Sequence, residues 1–388
     1  MANRINGCFD SARKLKTHNP EVLCGFLEAF PAFLSKAKIS LPADRDPDQI
    51  PYGQLLDALM SPSAPNELAV QLILVSKLAN ETGWQEVEYE AKQRGVPIPS
   101  DIEKLCDGDR AMKVWTVAQP DHPDLLEESF ARARIYKKSS YTYYPMGRDL
   151  LDRFQSPDDS ALKELEAELN AHFDVDEGTK VLKYDFEAET WFLIRHPGIV
   201  QWQGVYEKGR VKSRAVTPEL YDAVVYHKKY GDLRMNTHRK SDHKRYRIAF
   251  GHLLFDEANV FDPHRRIVGL RPLWRDAEDV CKTGDIPGLH QIRISEVCFF
   301  ALSQGLRRVT WRADKENESL PLSPSNRVIP EDTDTVLYAK FRYRLKSVGK
   351  WQGLTVHTGK SLSYERDGDS SVLEDWLRGR AFIDARIA

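Results

Sequence analysis

Apolar residues recur at three- and four-residue steps from Pro20 to about Phe173, the period of helices that bury one stripe. Val22, Leu23, Phe26, Leu27 and Phe30 form the first stripe, and Pro31 closes or kinks it because proline lacks an amide and crowds the preceding turn. Leu55, Leu56 and Leu59 predict a short second helix ended by the Ser61-Pro62-Ser63 loop. Further helices are predicted from Pro65 to Ala79, from Trp84 to Arg94 up to the stop at Gly95 and Pro97, from Asp109 to Ala118, from Pro123 to Tyr136 and from Ser160 to Phe173. The stretch from Lys137 to Pro145, with Tyr141, Tyr143 and Tyr144, is read as a loop between helices whose tyrosines cover a core edge or offer stacking faces.

At Asp174 the pattern turns to strand-like runs split by charges and by Pro197-Gly198 and Lys208-Gly209. Val181 to Phe186, Trp191 to Ile194, Ile199 to Tyr206 and Val211 to Val216 follow one another with connections too short for crossovers, so they predict an antiparallel meander. More strands are predicted at His290 to Phe300, Arg307 to Trp311, Thr335 to Leu345 and Gly353 to His357. A short amphipathic helix, Ser371 to Arg378, ends the chain. Helices first and strands later give an α+β class, with a helical docking domain over 1–175 and a mostly antiparallel β-rich domain over 176–388.

Between those strands lies the densest positive charge. Tyr221 to Tyr226 and Leu233 to Asn236 read as a hairpin around the Tyr230-Gly231-Asp232 turn, and Ser241 or Asp242 stands where a helix N-cap belongs. Tyr246, Phe250, Leu253 and Leu254 then gather on one helical stripe. Within this basic segment, 226–255, Lys228, Lys229, Arg234, Arg239, Lys240, Lys244, Arg245 and Arg247 supply candidate phosphate contacts, and Tyr226, Tyr230 and Tyr246 candidate stacking rings. A solvated basic face that discourages edge aggregation is the competing reading.

Composition narrows the partners. The 388 residues carry 41% hydrophobic and 29% charged side chains at a net charge of −2, so nucleic-acid binding, of DNA or RNA, has to be local. Five cysteines without C-x-x-C spacing point to a reducing compartment and away from zinc or a disulfide framework. The first residues lack the apolar core of a signal peptide, and no run approaches a membrane span, so a cytoplasmic protein without metal, cofactor or membrane contact is expected.

Enzymatic motifs are sparse. Trp191 to Gly198 resembles the strand-ending Arg-His-Gly motif of the histidine phosphatase family, which would make His196 a phosphoryl acceptor and Arg195 a phosphate clamp, although Pro197 stands where that family has glycine. Gly353 to Ser361 imitates a P-loop with one residue too many between its glycines. His252 with Asp256, and Glu90-Ala91-Lys92, are weaker fragments of metal and nuclease patterns. The run Tyr221 to Tyr226, then Gly231 to Arg234, Tyr246-Arg247, Phe250-Gly251 and Leu254-Phe255, together with the ending Trp376 to Ile383, resembles a pattern in uncharacterised bacterial proteins. That resemblance implies a bacterial origin among mobile-element or phage-defence genes and brings no activity or site residue. The expected function is a non-catalytic subunit of a bacterial assembly, contacting nucleic acid through the basic segment and other subunits through the helical domain. A hydrolase centred on Arg195 and His196, and a pure protein adaptor, are the alternatives.

Overall fold

The computed structural model describes residues 8–61, 64–136, 140–147, 150–207, 210–265, 267–275, 277–301, 307–313, 320, 336–347, 349–359, 361–364 and 370–384. Lys137, Lys138, Lys208, Thr335 and Lys360, all part of patterns drawn from the sequence, lie outside the described residues. The chain divides into two compact units, 1–135 and 136–388. The change of period near Asp174 therefore falls inside the second unit, where it marks the passage from a helix to the strand that follows it.

The first unit is helical: α1 (Ala12–Leu15), α2 (Pro20–Glu28), α3 (Pro31–Ala37), α4 (Tyr52–Leu59), α5 (Asn66–Leu78), α6 (Glu81–Gln93), α7 (Asp107–Ala118) and α8 (Leu125–Tyr136), the last of which runs one residue past the boundary. Pro31 opens α3, where a missing amide costs nothing, after α2 has stopped. Asn19 caps α2 by accepting from the Glu21 and Val22 amides. Phe26 and Phe30 lie 4.9 and 5.7 Å from the Trp115 ring, which seats α2 on α7.

The second unit is a sheet covered on both faces. Its strands are β1 (Ser140–Pro145), β2 (Lys180–Asp185), β3 (Glu189–Pro197), β4 (Gln201–Glu207), β5 (Arg210–Val216), β6 (Glu219–His227), β7 (Asp232–Asn236), β8 (Leu289–Ala301), β9 (Arg307–Arg312), β10 (Val336–Leu345), β11 (Trp351–His357) and β12 (Ser361–Tyr364). Its helices are α9 (Asp159–Phe173), α10 (Asp242–Phe255), α11 (Pro272–Arg275), α12 (Ala277–Val280) and α13 (Ser370–Gly379). Ten strands, all antiparallel, run in the order β2-β3-β6-β7-β1-β12-β11-β10-β8-β9, while β4 and β5 pair with each other as a separate two-stranded ribbon.

Strand alternation decides what each face buries. On one face, Phe192, Ile194, Val224, Tyr226, Leu233 and Met235 pack against Leu162, Leu165 and Leu169 of α9 and Tyr246, Phe250 and Leu254 of α10. On the other, Arg234 turns toward α13, whose Glu374 it meets. Trp376 of α13 lies 5.4 Å from Phe341 of β10 and 5.0 Å from Phe382.

Two local expectations change, and the discarded P-loop likeness falls in the strand predicted at Gly353 to His357. The tyrosine stretch expected between helices is β1, a central strand held by β7 and β12. Ser241 has helical backbone angles and makes no side-chain cap; the Asp242 and His243 amides instead bond to the Arg239 and Lys240 carbonyls in a preceding turn. The P-loop imitation spans β11, the turn after it and the start of β12, an antiparallel hairpin with no helix for a phosphate to cap.

Candidate nucleic-acid interface

The basic segment folds as the hairpin β6–β7 followed by α10, with Gly231 at φ +64 in the turn. Its cations do not form one patch. Arg234 is fully buried, bonded to Glu189 and to Glu374 at 2.9 Å, with Asp232 3.6 Å away. Arg245 is paired to Glu168 at 2.9 Å. Arg247 donates to the Phe261 carbonyl and lies over the Tyr144 ring, and burial pulls its pKa down. Lys228 donates to the Phe186 carbonyl near Asp185.

The rings are committed as well. Tyr226 and Tyr246 are core residues with no exposed surface, so neither can stack on a base. Tyr230 is covered on one side by the Arg378 guanidinium at 3.8 Å. The assignments of Arg234, Tyr226 and Tyr246 are corrected for a physical reason: a side chain on a covered sheet face, or on the helix face that covers it, is buried, and a local charge count is blind to that.

What is left splits between the two ends of β7. Lys229 stands exposed at the hairpin turn. Five strand residues away, roughly 15 Å, Lys240 and Lys244 are exposed and Arg239 half-buried, none of them in an ion pair among the described residues. At that same end of the sheet β3 and β6 run out of the ladder, pairing His196 with Leu220 and Pro197 with Glu219, and continue into the β4–β5 ribbon. Register pairs Trp202 with Ala215, Gln203 with Arg214 and Gly204 with Ser213. Trp202 is 73% exposed, Ile199 and Val200 are exposed beside it, and Lys212 and Arg214 are exposed on the partner strand. The sequence showed this ribbon only as two more strands of a meander. A tryptophan flanked directly by Gln201 and Gln203 was the available sign that it leaves the sheet.

The root of the ribbon is held by Asp222, which is wholly buried. Its Oδ2 accepts from Tyr246 Oη at 2.9 Å and meets His196 Nε2 at 3.1 Å, while Oδ1 accepts the His238 amide at 2.8 Å and meets His238 Nδ1 at 3.0 Å. Burial would raise this carboxyl, but the His196 and His238 contacts outweigh it and hold it below the usual carboxylate range. One side chain thereby ties β3, β6, the turn after β7 and α10 together.

His196, Asp222 and His238 are close enough to hold a cation, with one ligand atom from each within 4.8 Å of the others. Both oxygens of Asp222 are already taken up by four donors, which is the arrangement of a structural knot. His196 is also unsuited to phosphoryl transfer. Its Nδ1 lies 3.0 Å from the Pro197 carbonyl, its ring stacks on Phe173 at 4.2 Å, and it has no access to solvent. Arg195 projects from the opposite face of β3, toward Glu219 at 3.7 Å, so clamp and acceptor do not converge. No helix among the described residues is long and apolar enough to cross a membrane. Comparison of the chain with protein-family models and with curated proteins finds no match.

Proposed function

We propose that this protein contacts nucleic acid non-catalytically, through the β4–β5 ribbon and the start of α10, as a subunit of a larger bacterial assembly. The observation that carries the reading is Trp202, 73% exposed on a two-stranded ribbon whose partner strand exposes Lys212 and Arg214, on the opposite face by register. A ribbon of this width fits a groove or a single strand. The ribbon thus offers a stacking ring on one face and cations for phosphate on the other, and Arg239, Lys240 and Lys244 at the same end of the sheet extend the positive surface.

The test is binding of short duplex and single-stranded DNA and RNA across a salt series. Five phosphate contacts would give a slope of log K against log salt of about −4.5 on duplex DNA. Lys212→Ala with Arg214→Ala, or Lys240→Ala with Lys244→Ala, each flattens that slope by about two, whereas Lys229→Ala at the far end of β7 leaves it unchanged. A salt-independent affinity, or equal binding by all three variants, overturns the proposal. Exposed Ile199 and Val200 favour one second reading, a protein partner seated on the ribbon, which would bind without that salt dependence.

A further inference from the structure

In the first unit, the start of α7 opens onto a cavity of about 400 Å³ lined by Cys8, Lys14, Thr17, His18, Cys106 and Gly108, a volume in the range of small-molecule sites. Asp109, buried in the first turn of α7, places Oδ1 2.6 Å from His18 Nδ1, while its Oδ2 accepts the Asn19 amide at 3.0 Å. Both carboxylate oxygens are thus anchored. The His18 ring also stacks on Phe9 at 4.8 Å and 9°, so its orientation is set. Burial alone would lower the His18 pKa, but the hydrogen bond to Asp109 and the interaction with Cys106 overcome it and bring the ring up to about 9.

Cys106 is the exposed member of this group. Its Sγ, a His18 ring nitrogen and an Asp109 oxygen all lie within 4.8 Å of one another. It occupies the N-cap position of the twelve-residue α7 without making a side-chain cap, and the amides of Asp107, Gly108 and Asp109 meet no acceptor among the described residues. A thiol, an imidazole held by a buried carboxylate, and free amides at a helix start are the parts from which thiol acyl transfer is assembled.

We propose that Cys106 is a nucleophilic thiol that takes up an acyl group from a small carboxylic ester or thioester bound in this cavity, with His18 carrying the proton and Asp109 positioning His18. The Cys106 sulfur attacks the carbonyl carbon and forms a C–S bond. The electron pair of the broken ester bond leaves with the alcohol or thiol, which takes the proton from His18. Water then attacks the enzyme thioester and gives one proton to His18; the carboxylic acid departs, and the sulfur recovers its electron pair. The first-turn amides of α7 receive the negative charge that builds on the carbonyl oxygen.

The full chain is incubated with p-nitrophenyl acetate at pH 7, following nitrophenolate release and mapping acetylated peptides by mass spectrometry. Expected is a burst of about one equivalent with the acetyl group on Cys106, preserved in Cys8→Ser and abolished in Cys106→Ser at an unchanged unfolding midpoint. Asp109→Asn slows acetylation of Cys106 about 100-fold, Asp109→Glu recovers part of the rate, and imidazole added to His18→Ala restores labelling at Cys106 over the other cysteines. Acetyl groups spread evenly over Cys8, Cys106 and Cys281, or a burst that survives Cys106→Ser, would overturn the assignment. So would acetylation that proceeds equally fast in Asp109→Asn, a result that loss of folding cannot produce.

Discussion

Raising the pH should loosen the first unit, and the amount follows from one side chain. The groups around His18 are Asp109 from α7, Cys106 at its N-cap and, from the segment before α2, the Cys8 carbonyl, with Lys14 lining the same cavity. Burial would lower the ring, but the Asp109 and Cys106 interactions overcome it and lift the value from an ordinary 6.5 to about 9. Because the folded value lies above the unfolded one, the stabilisation is fully present below pH 6.5 and disappears as the pH rises through about 9. At about 1.4 kcal/mol for each tenfold in proton affinity, about 3 kcal/mol is at stake. The reporter is amide hydrogen exchange of α2 and α7 in the full chain, since Asp109 joins the cap of α2 to the first turn of α7. After correction for intrinsic rates, protection should fall about 100-fold between pH 6 and pH 10, and His18→Gln should flatten the dependence. Equal protection at both pH values, or the same loss in His18→Gln, refutes the reasoning.

Other expectations concern the second unit. Arg234→Ala leaves Glu189, Asp232 and Glu374 without their shared cation and should cost about 3–5 kcal/mol in urea unfolding. Trp202→Ala removes a side chain that packs on little, so stability should stay within about 0.5 kcal/mol while affinity for single strands drops about tenfold or more. Asp222, held below its ordinary value of 3.8, contributes stability that is present above that pH and lost as the pH falls through its lower folded value. In Asp222→Asn the acid limb of a stability-against-pH curve should shrink and the neutral plateau drop. An acid limb matching wild type would show that the His196 and His238 contacts do not carry the charge.

Local patterns exposed the elements well wherever neighbours in sequence are neighbours in space. The stripe Tyr246, Phe250 and Leu254 predicts α10 and its buried side, and the Tyr230-Gly231-Asp232 turn predicts the β6–β7 hairpin, because period and turn chemistry are properties of a few consecutive residues. The tyrosine strand β1 was missed since its partners are about 90 residues away in β7 and over 200 away in β12. Its alternating Tyr and Thr side chains suit a pleated surface, but nothing local tells that such a surface is present. The candidate site suffered most. Arg234 sits between Leu233 and Met235, an alternation that marks a strand, and whether the face of Arg234 meets water depends on α13, which lies 140 residues further on. His18 and Asp109, 91 residues apart, share no motif that a scan by spacing could find.

The fate of Arg234 also shows how part of the positive charge on this segment is taken up inside the fold. Arg234 and Arg378 lie among Glu189, Asp232 and Glu374, two cations against three carboxylates, all buried except the half-buried Glu189. Glu374 is further served by the hydroxyls of Tyr143 and Tyr364, donors that offset the excess negative charge without adding a cation. His227 is nearby, and burial first and Arg234 second push its pKa down, which keeps another positive charge out of the cluster. Apolar residues of equal volume would stabilise such an interior as well or better. What they would not do is fix the seat of α13, because Leu373, Trp376 and Leu377 slide along an apolar sheet more easily than Glu374 leaves three donors on three different strands. The positive segment thus divides by function along its length. Its middle locks the C-terminal helix to the sheet, while Lys229 at the hairpin turn and Lys240 and Lys244 beyond β7, where the ribbon emerges, face solvent.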